Sequence, residues 1–214
     1  RDFTKKECYY VFQSYWTTKP MVHIYGHSWQ TRWGNQGETS FVKVYSNCNQ
    51  IELFLNGESL GTKKRDVKSY PACGLFWNVK FDTGKNTLVA VGKIKGEEVR
   101  DEIELTYQIE KWEEPFQLVL NEISIDENYS WLKVTAVDKN GIVCLDATNF
   151  VEFSSIGEAE LIKHQGTAHG SQKVGLCNGV ARIKMKKFGL AYSAFVKSDG
   201  IKPAILELGK ERGK

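Results

Sequence analysis

The sequence predicts an all-β chain, two tandem β-sandwiches preceded by one short helix, and three observations carry that expectation. Apolar residues alternate at a period of two through most of the chain, the pattern of strands with one buried face. Turn signals such as Asn56-Gly57, Lys95-Gly96, Asn178-Gly179 and Asp199-Gly200 interrupt the alternation, as they do between the short strands of a sandwich. The alternation breaks once, over Ile109 to Pro115, where Glu110, Lys111, Glu113 and Glu114 crowd before a proline, and then restarts. A length of 214 residues suits two domains of about 100 residues, each able to bury its own core. The expected boundaries are a helix within 1–19, a first sandwich over 20–110 and a second over 111–214.

The helix comes first. Thr4 followed by Glu7 has the capping-box form, and Tyr9, Phe12, Tyr15 and Trp16 recur at three or four to make one apolar face. Thr17, Thr18 and Pro20 end it. Such an aromatic face requires a partner, either the following sandwich or an element preceding the chain. After Pro20 the period changes. Phe41 to Ser46 alternate, Ile51, Leu53 and Leu55 run into Asn56-Gly57, and Leu75, Trp77, Val79 and Phe81 follow. Leu88 to Val91 and Val99 to Tyr107 form the last pair of the first sandwich. In the second, Phe116 to Leu120 and Trp131 to Val137 precede short runs at Val151 to Ser154, Glu160 to Lys163, Gln172 to Leu176, Val180 to Met185, Tyr192 to Val196 and Ile205 to Leu208. Trp77 and Trp131 lie within alternating strands and are expected in the cores.

Composition narrows the function classes. Apolar residues at 41% and charged ones at 26% are those of a globular protein, and a net charge of +3 is too slight to imply nucleic acid as partner. Nothing approaches the ~18 consecutive apolar residues of a membrane span. The start at Arg1, without Met, suggests a piece cut from a longer protein, although processing could do the same. Cys8, Cys48, Cys73, Cys144 and Cys177 include no CxxC pair, which argues against a zinc ribbon and, being odd in number, against a complete disulfide framework; core thiols are the expectation.

No constellation in the sequence specifies catalysis, and no cofactor or metal is expected. His23 and His27 have the spacing of a helical metal pair, but Gly26 and the β-branched Val22 and Ile24 argue for an extended segment, which would hold the rings ~13 Å apart. His164, His169 and Ser171 fall in a Gly-rich stretch without a GxSxG elbow and read as a loop. Phosphate-binding glycine motifs do not occur. Asp82, Asp138, Asp146 and Glu158 sit at turns, where Asp serves backbone hydrogen bonding rather than a paired-carboxylate site. Trp29 and Trp33, in the polar, Gly-rich segment GHSWQTRWGNQG, could stack on sugar rings while Arg32 or Asn35 supply hydrogen bonds; equally, they could plug the end of the sandwich or pack on a neighbouring domain.

With those residues in view, the chain resembles the carboxy-terminal part of bacterial glycoside hydrolase family 2 enzymes of the β-galactosidase-like group. YYVFQSYWTTKPMVHIYGHSW resembles the end of their catalytic (β/α)8 barrel. FVKVYSNCNQIELFLNGESLGTKKRD and YPACGLFWNVKFDTGKNTLVAVGK resemble the immunoglobulin-like domain of uncharacterised function that follows it. LKVTAVDKNGIVC and GEAELIKHQGTAHGSQKVGLCNGVARIKM resemble the terminal immunoglobulin-like domain. The resemblance implies a retaining glycosidase parent whose acid/base and nucleophilic glutamates precede Arg1, so the expected role of these residues is accessory: bracing the catalytic barrel of the same parent chain. It also implies an exported bacterial protein, periplasmic or at the cell surface, which would leave the acceptor motif Asn128-Tyr129-Ser130 unused. A carbohydrate-binding module, an adhesion-type protein-binding domain and self-association through the helix are the alternatives.

Overall fold

The computed structural model describes residues 5–66, 68, 74–164, 166–167 and 170–208. Among them are one helix and fourteen strands, which form two compact units, the first ending at Ile109 and the second beginning at Glu110. No described helix is long and apolar enough to cross a membrane.

The first unit opens with α1 (Glu7–Trp16) and continues through β1 (Val22–Ile24), β2 (Thr31–Trp33), β3 (Ser40–Ser46), β4 (Gln50–Leu55), β5 (Glu58–Lys64), β6 (Leu75–Val79), β7 (Gly84–Ile94) and β8 (Glu97–Gln108). A three-stranded sheet in the order β1-β3-β6 faces a five-stranded sheet in the order β2-β8-β7-β4-β5. Val42, Val44, Trp77 and Val79 from the former and Ile51, Leu53, Leu88, Ala90 and Ile103 from the latter meet in one core. Period-two alternation produces this directly, since a strand with every second residue apolar has one face to bury. The Asn56-Gly57 hairpin has both residues at positive φ (51° and 89°), as a two-residue turn between twisted strands requires.

The sequence leaves two partners open for the aromatic face of α1, and the sandwich buries the opposite face instead. The expected aromatic face points away from the sandwich: Tyr9, Phe12, Tyr15 and Trp16 are exposed, Trp16 at 78%. Glu7, Tyr10, Val11 and Ser14, spaced at three and four on the opposite face, are the more buried set. Thr4 lies outside the described residues, and the N-cap position, Lys6, makes no side-chain cap.

The second unit contains β9 (Gln117–Ser124), β10 (Tyr129–Val137), β11 (Phe150–Ile162), β12 (Lys173–Gly175), β13 (Val180–Ser198) and β14 (Ile201–Leu208), in the sheet order β10-β9-β14-β13-β11-β12. The sheet folds back on itself because β13 changes partner. Its first half pairs with β10, its second half with β14, and β11 runs alongside both. The four short runs expected at 151–154, 160–163, 180–185 and 192–196 are thus two long strands. The gap expected between the first two runs is a bulge at Gly157 within the β11–β13 ladder. Gly157 has φ +89°, and a Cβ there would lie 2.5 Å from the Ala191 carbonyl oxygen, so only glycine fits the bulge. Leu132, Val134, Ala136, Phe153, Ile183, Met185 and Val196 form the centre of the core.

Trp77 is in the core, 2% exposed. Trp131 is not. Leu132, Val134 and Ala136 fill the buried phase of β10, leaving Trp131 half-buried on the outer face with Lys133 and Thr135. Cys48 and Cys144 are buried thiols as expected, whereas Cys8 and Cys177 are exposed, and Cys73 lies outside the described residues. Burial, with the charges of Asp138, Asp146 and Glu114, pushes the Cys144 thiol up to about 11. The turn role of Asp138 also holds: its carboxylate accepts the N–H groups of Glu113, Asn140 and Ile142, which keep its pKa below the usual carboxylate range.

Two neighbouring aromatics on β11 separate core from surface. Phe153 is fully buried and Phe150 is 62% exposed. Phe153→Ala is expected to lower unfolding free energy by about 3–5 kcal/mol in urea denaturation, and Phe150→Ala by about 1 kcal/mol or less.

Candidate functional site

The most organised group of titratable side chains joins α1, β1 and β8. It forms because the chain does not continue extended past Ile24. A turn over residues 25–28 follows β1, with Gly26 at φ +98° and the Trp29 N–H donating to the Gly26 carbonyl. The turn brings the His27 ring back over His23, with centroids 4.7 Å apart and planes 11° from parallel. Sequence reasoning placed these rings ~13 Å apart on one strand; the positive φ at Gly26 is what overturns that distance. Tyr10 of α1 stacks on the other side of His23 at 3.5 Å and 7°, completing a three-ring column.

Two carboxylates flank the column. Glu7 Oε2 accepts from His23 Nε2 at 3.1 Å, while Glu7 Oε1 accepts the Gly26 N–H at 3.0 Å. Asp101 Oδ2 accepts both the Ile24 N–H at 2.6 Å and His27 Nε2 at 2.8 Å, and lies 3.8 Å from His23 Nδ1. A carboxylate can only accept, so both Nε2 atoms carry protons. His23 is 5% exposed, and burial lowers its pKa below the ordinary value, with the charges of Glu7 and Asp101 opposing. The hydrogen bond that His27 donates to Asp101 raises the pKa of His27, with desolvation opposing.

The ring nitrogens of His23 and His27 and a carboxylate oxygen of Asp101 lie within 4.8 Å of one another, close enough to consider a metal ion. The ring orientation argues against that use. An ion bound by two imidazoles lies near both ring planes, and stacked, nearly parallel planes do not converge on a common point. Each Nε2 is also already turned to a carboxylate. The arrangement binds protons and fastens α1 to the sheet. Sequence reasoning missed Glu7, read only as a cap partner, and Asp101, which is 77 positions from Ile24. No local signal connects them.

The four residues considered for sugar contact are placed differently from one another. Trp29 and Trp33 are 42% and 43% exposed; Trp29 meets Tyr25 edge to face at 5.2 Å, and Trp33 ends β2 beside β8. Arg32 turns inward over the Phe81 ring at 5.6 Å, donates to the Tyr25 carbonyl, and has its Nε buried without a partner. Burial lowers its pKa. The Asn35 side chain donates to Glu38, and the Asn35 backbone carbonyl accepts the Tyr107 hydroxyl. Of the loop histidines and serine, His164 bridges to Ser171 through the backbone, and His169 lies outside the described residues.

Residues 37–100 match a family described as a domain of unknown function, DUF4982. Over 98% of its length the chain superposes on 27% of a crystal structure of the beta-glucuronidase of Parabacteroides merdae, with 44% identity and a TM-score of 0.86. A Formosa agariphila protein described as a candidate beta-glucuronidase is 46% identical over 187 residues, which are 86% of this chain and 22% of that protein. A glycosyl hydrolase family 2 member from Bacteroides cellulosilyticus, at 24% identity over 96% of this chain and 30% of that one, shares the fold with a TM-score of 0.52. The chain is similar to the C-terminal region of family 2 glycoside hydrolases. It spans about a quarter of the length of these relatives. Those above 40% identity are named beta-glucuronidases, and a Bacteroides ovatus protein 31% identical over 71% of this chain is named a beta-galactosidase.

The two histidines titrate in opposite senses. His27, with its folded pKa raised, stabilises the fold below its unfolded value near 6.5, and that contribution disappears as pH rises through the folded pKa. His23, with its folded pKa lowered, contributes above 6.5 and loses that contribution as pH falls. His27→Gln should therefore show its largest stability deficit at pH 5.5 and a smaller one at pH 8, read from urea midpoints. A deficit independent of pH would contradict the assignment of the raised pKa to His27.

Proposed function

We propose that this chain is a non-catalytic accessory part of a family 2 glycoside hydrolase that acts on β-glucuronides, two immunoglobulin-like sandwiches of which the first braces the catalytic barrel. The observation that carries the reading is α1. Its inner face is fixed to the sheet by Glu7, Tyr10 and His23, while Tyr9, Phe12 and Trp16 on its outer face are exposed, Phe12 at 51% and Trp16 at 78%. An apolar patch of that kind marks an interface. The parent barrel is the partner of matching chemistry, because the relatives are roughly four times longer and carry glycosidase names.

The carboxylates of this chain support an accessory role. Glu7 and Asp101 are engaged with imidazoles and backbone N–H groups, and Glu122 accepts from Tyr192 and Lys187. Hydrolysis needs two carboxyl groups facing a sugar across a cleft, one as acid and one as nucleophile or base. The proposed setting is an exported bacterial enzyme, periplasmic or surface-bound, as the resemblance to family 2 enzymes implies. A second reading, carbohydrate contact at the first unit, rests on the half-exposed indoles of Trp29 and Trp33.

The test is made in the full-length enzyme. Phe12→Ser with Trp16→Ser is expected to lower the temperature of half-inactivation by several degrees while leaving KM for a nitrophenyl glucuronide within about twofold. The purified 214-residue chain should not turn over that substrate. An unchanged inactivation temperature, or turnover by the chain alone, would refute the bracing role.

A further inference from the structure

The second unit segregates its charges. Residues 110–214 carry as many acidic as basic side chains, yet on the outer face of the β10–β13 ladder every residue is basic or aromatic except the pair Thr135 and Val180. Register sets the pattern: Tyr129 lies opposite Lys186, Trp131 opposite Lys184, and Lys133 opposite Arg182. Across the other edge of β13, Lys184 faces Ile162 and Lys186 faces Glu160, the single acid in this row of cross-strand partners. Alternate residues of a strand are ~6.7 Å apart, so Arg182, Lys184 and Lys186 form a line of cations ~13 Å long.

Two features distinguish this face from an ordinary solvated one. Lys133 and Arg182 are like charges set directly opposite, an arrangement that is unfavourable across a pair of strands and concentrates positive charge on this face. Burial and the charge of Arg182 both lower the pKa of Lys133. The rings are also placed among the charges. The Lys184 ammonium sits 4.3 Å from the centroid of Tyr129, Lys186 stands 5.2 Å from that of Phe188, and Trp131 is half-buried on the same face. Alternating rings and cations suit a ligand that is itself alternating, with flat C–H faces to stack and anionic groups at regular intervals.

We propose that the outer face of β10 and β13 binds an acidic polysaccharide, with Arg182, Lys184 and Lys186 pairing to its carboxylates and Trp131 and Tyr129 packing on its sugar rings. The choice of a glycan over other polyanions rests on the reading of the chain as part of a glycosidase. The site itself does not involve α1 or the first unit, so it extends that reading to a different surface.

The experiment is titration calorimetry of the 214-residue chain with an octamer of galacturonate at 50 and 150 mM NaCl, beside a neutral galactan octamer and a DNA duplex as controls. The galacturonate oligomer should bind, the galactan bind at least tenfold more weakly, and the DNA bind no tighter than the uronate. Arg182→Gln with Lys184→Gln should weaken uronate binding about tenfold or more and reduce the dependence of log Kd on log salt by roughly one per cation removed. Lys80→Gln with Lys93→Gln, the same charge change in the first unit, should leave the affinity within about twofold; circular dichroism confirms folding of both variants. Absence of uronate binding, equal loss in both double variants, or undiminished binding in the Arg182/Lys184 variant would overturn the site. Tighter binding of DNA would overturn the glycan assignment. None of these results bears on the inactivation temperature of the α1 variants, so the two readings fail separately.

Discussion

The Asp101 carboxylate is the constraint on which the first unit's functional surface depends. One oxygen receives the Ile24 amide and the His27 ring, closing the turn after β1 onto β8. That turn supplies the Gly26 amide, which with the His23 ring completes the acceptor capacity used by Glu7. α1 is therefore held by a relay of hydrogen bonds that runs through a single acid on a strand late in the unit. A ten-residue helix is marginal in water by itself. The relay fixes its orientation, and the orientation decides that aromatic side chains face outward rather than into the sheet. A group of this kind, part buried and rich in charge, contributes more to where an element sits than to how stable the fold is.

The two units solve the same problem in different ways. The first divides its strands between two sheets around one apolar core, and its special chemistry collects at the edge where the helix attaches. The second closes a single sheet through a long strand that changes partner midway, and its outer faces are consequently broad and continuous. On such a face, register alone sets which side chains stand side by side. The basic and aromatic rows of β10 and β13 follow from that geometry, as does the buried network of Glu122 with Ser130, Tyr192 and Lys187 on the inner side.

Much of the fold was legible in the sequence because the information is local. Alternation at Ile51-Leu53-Leu55 and the Asn56-Gly57 turn are set by neighbouring residues, and the hairpin they predict is present. Legibility failed where a bulge interrupts the alternation. The runs at 151–154 and 160–163 read as separate strands, but the bulge at Gly157, packed against the Ala191 carbonyl, joins them into one. Trp131 was misplaced for a related reason: alternation gives two faces, and size suggested the wrong one as buried when Leu132, Val134 and Ala136 fill the core. The carboxylate and histidine cluster was not legible at all. His23 and His27 converge only through the conformation of Gly26, and both partners come from elements distant in sequence.

The central claim is that the outer face of α1 is an interface, and the amide hydrogen exchange of residues 7–16 tests it most directly. Exchange is compared between the 214-residue chain and the full-length protein under identical conditions. The account predicts that these amides exchange at least tenfold more slowly in the full-length protein, while those of β10 change little. Equal exchange of α1 in the two proteins would mean that nothing packs against it, and would contradict the account.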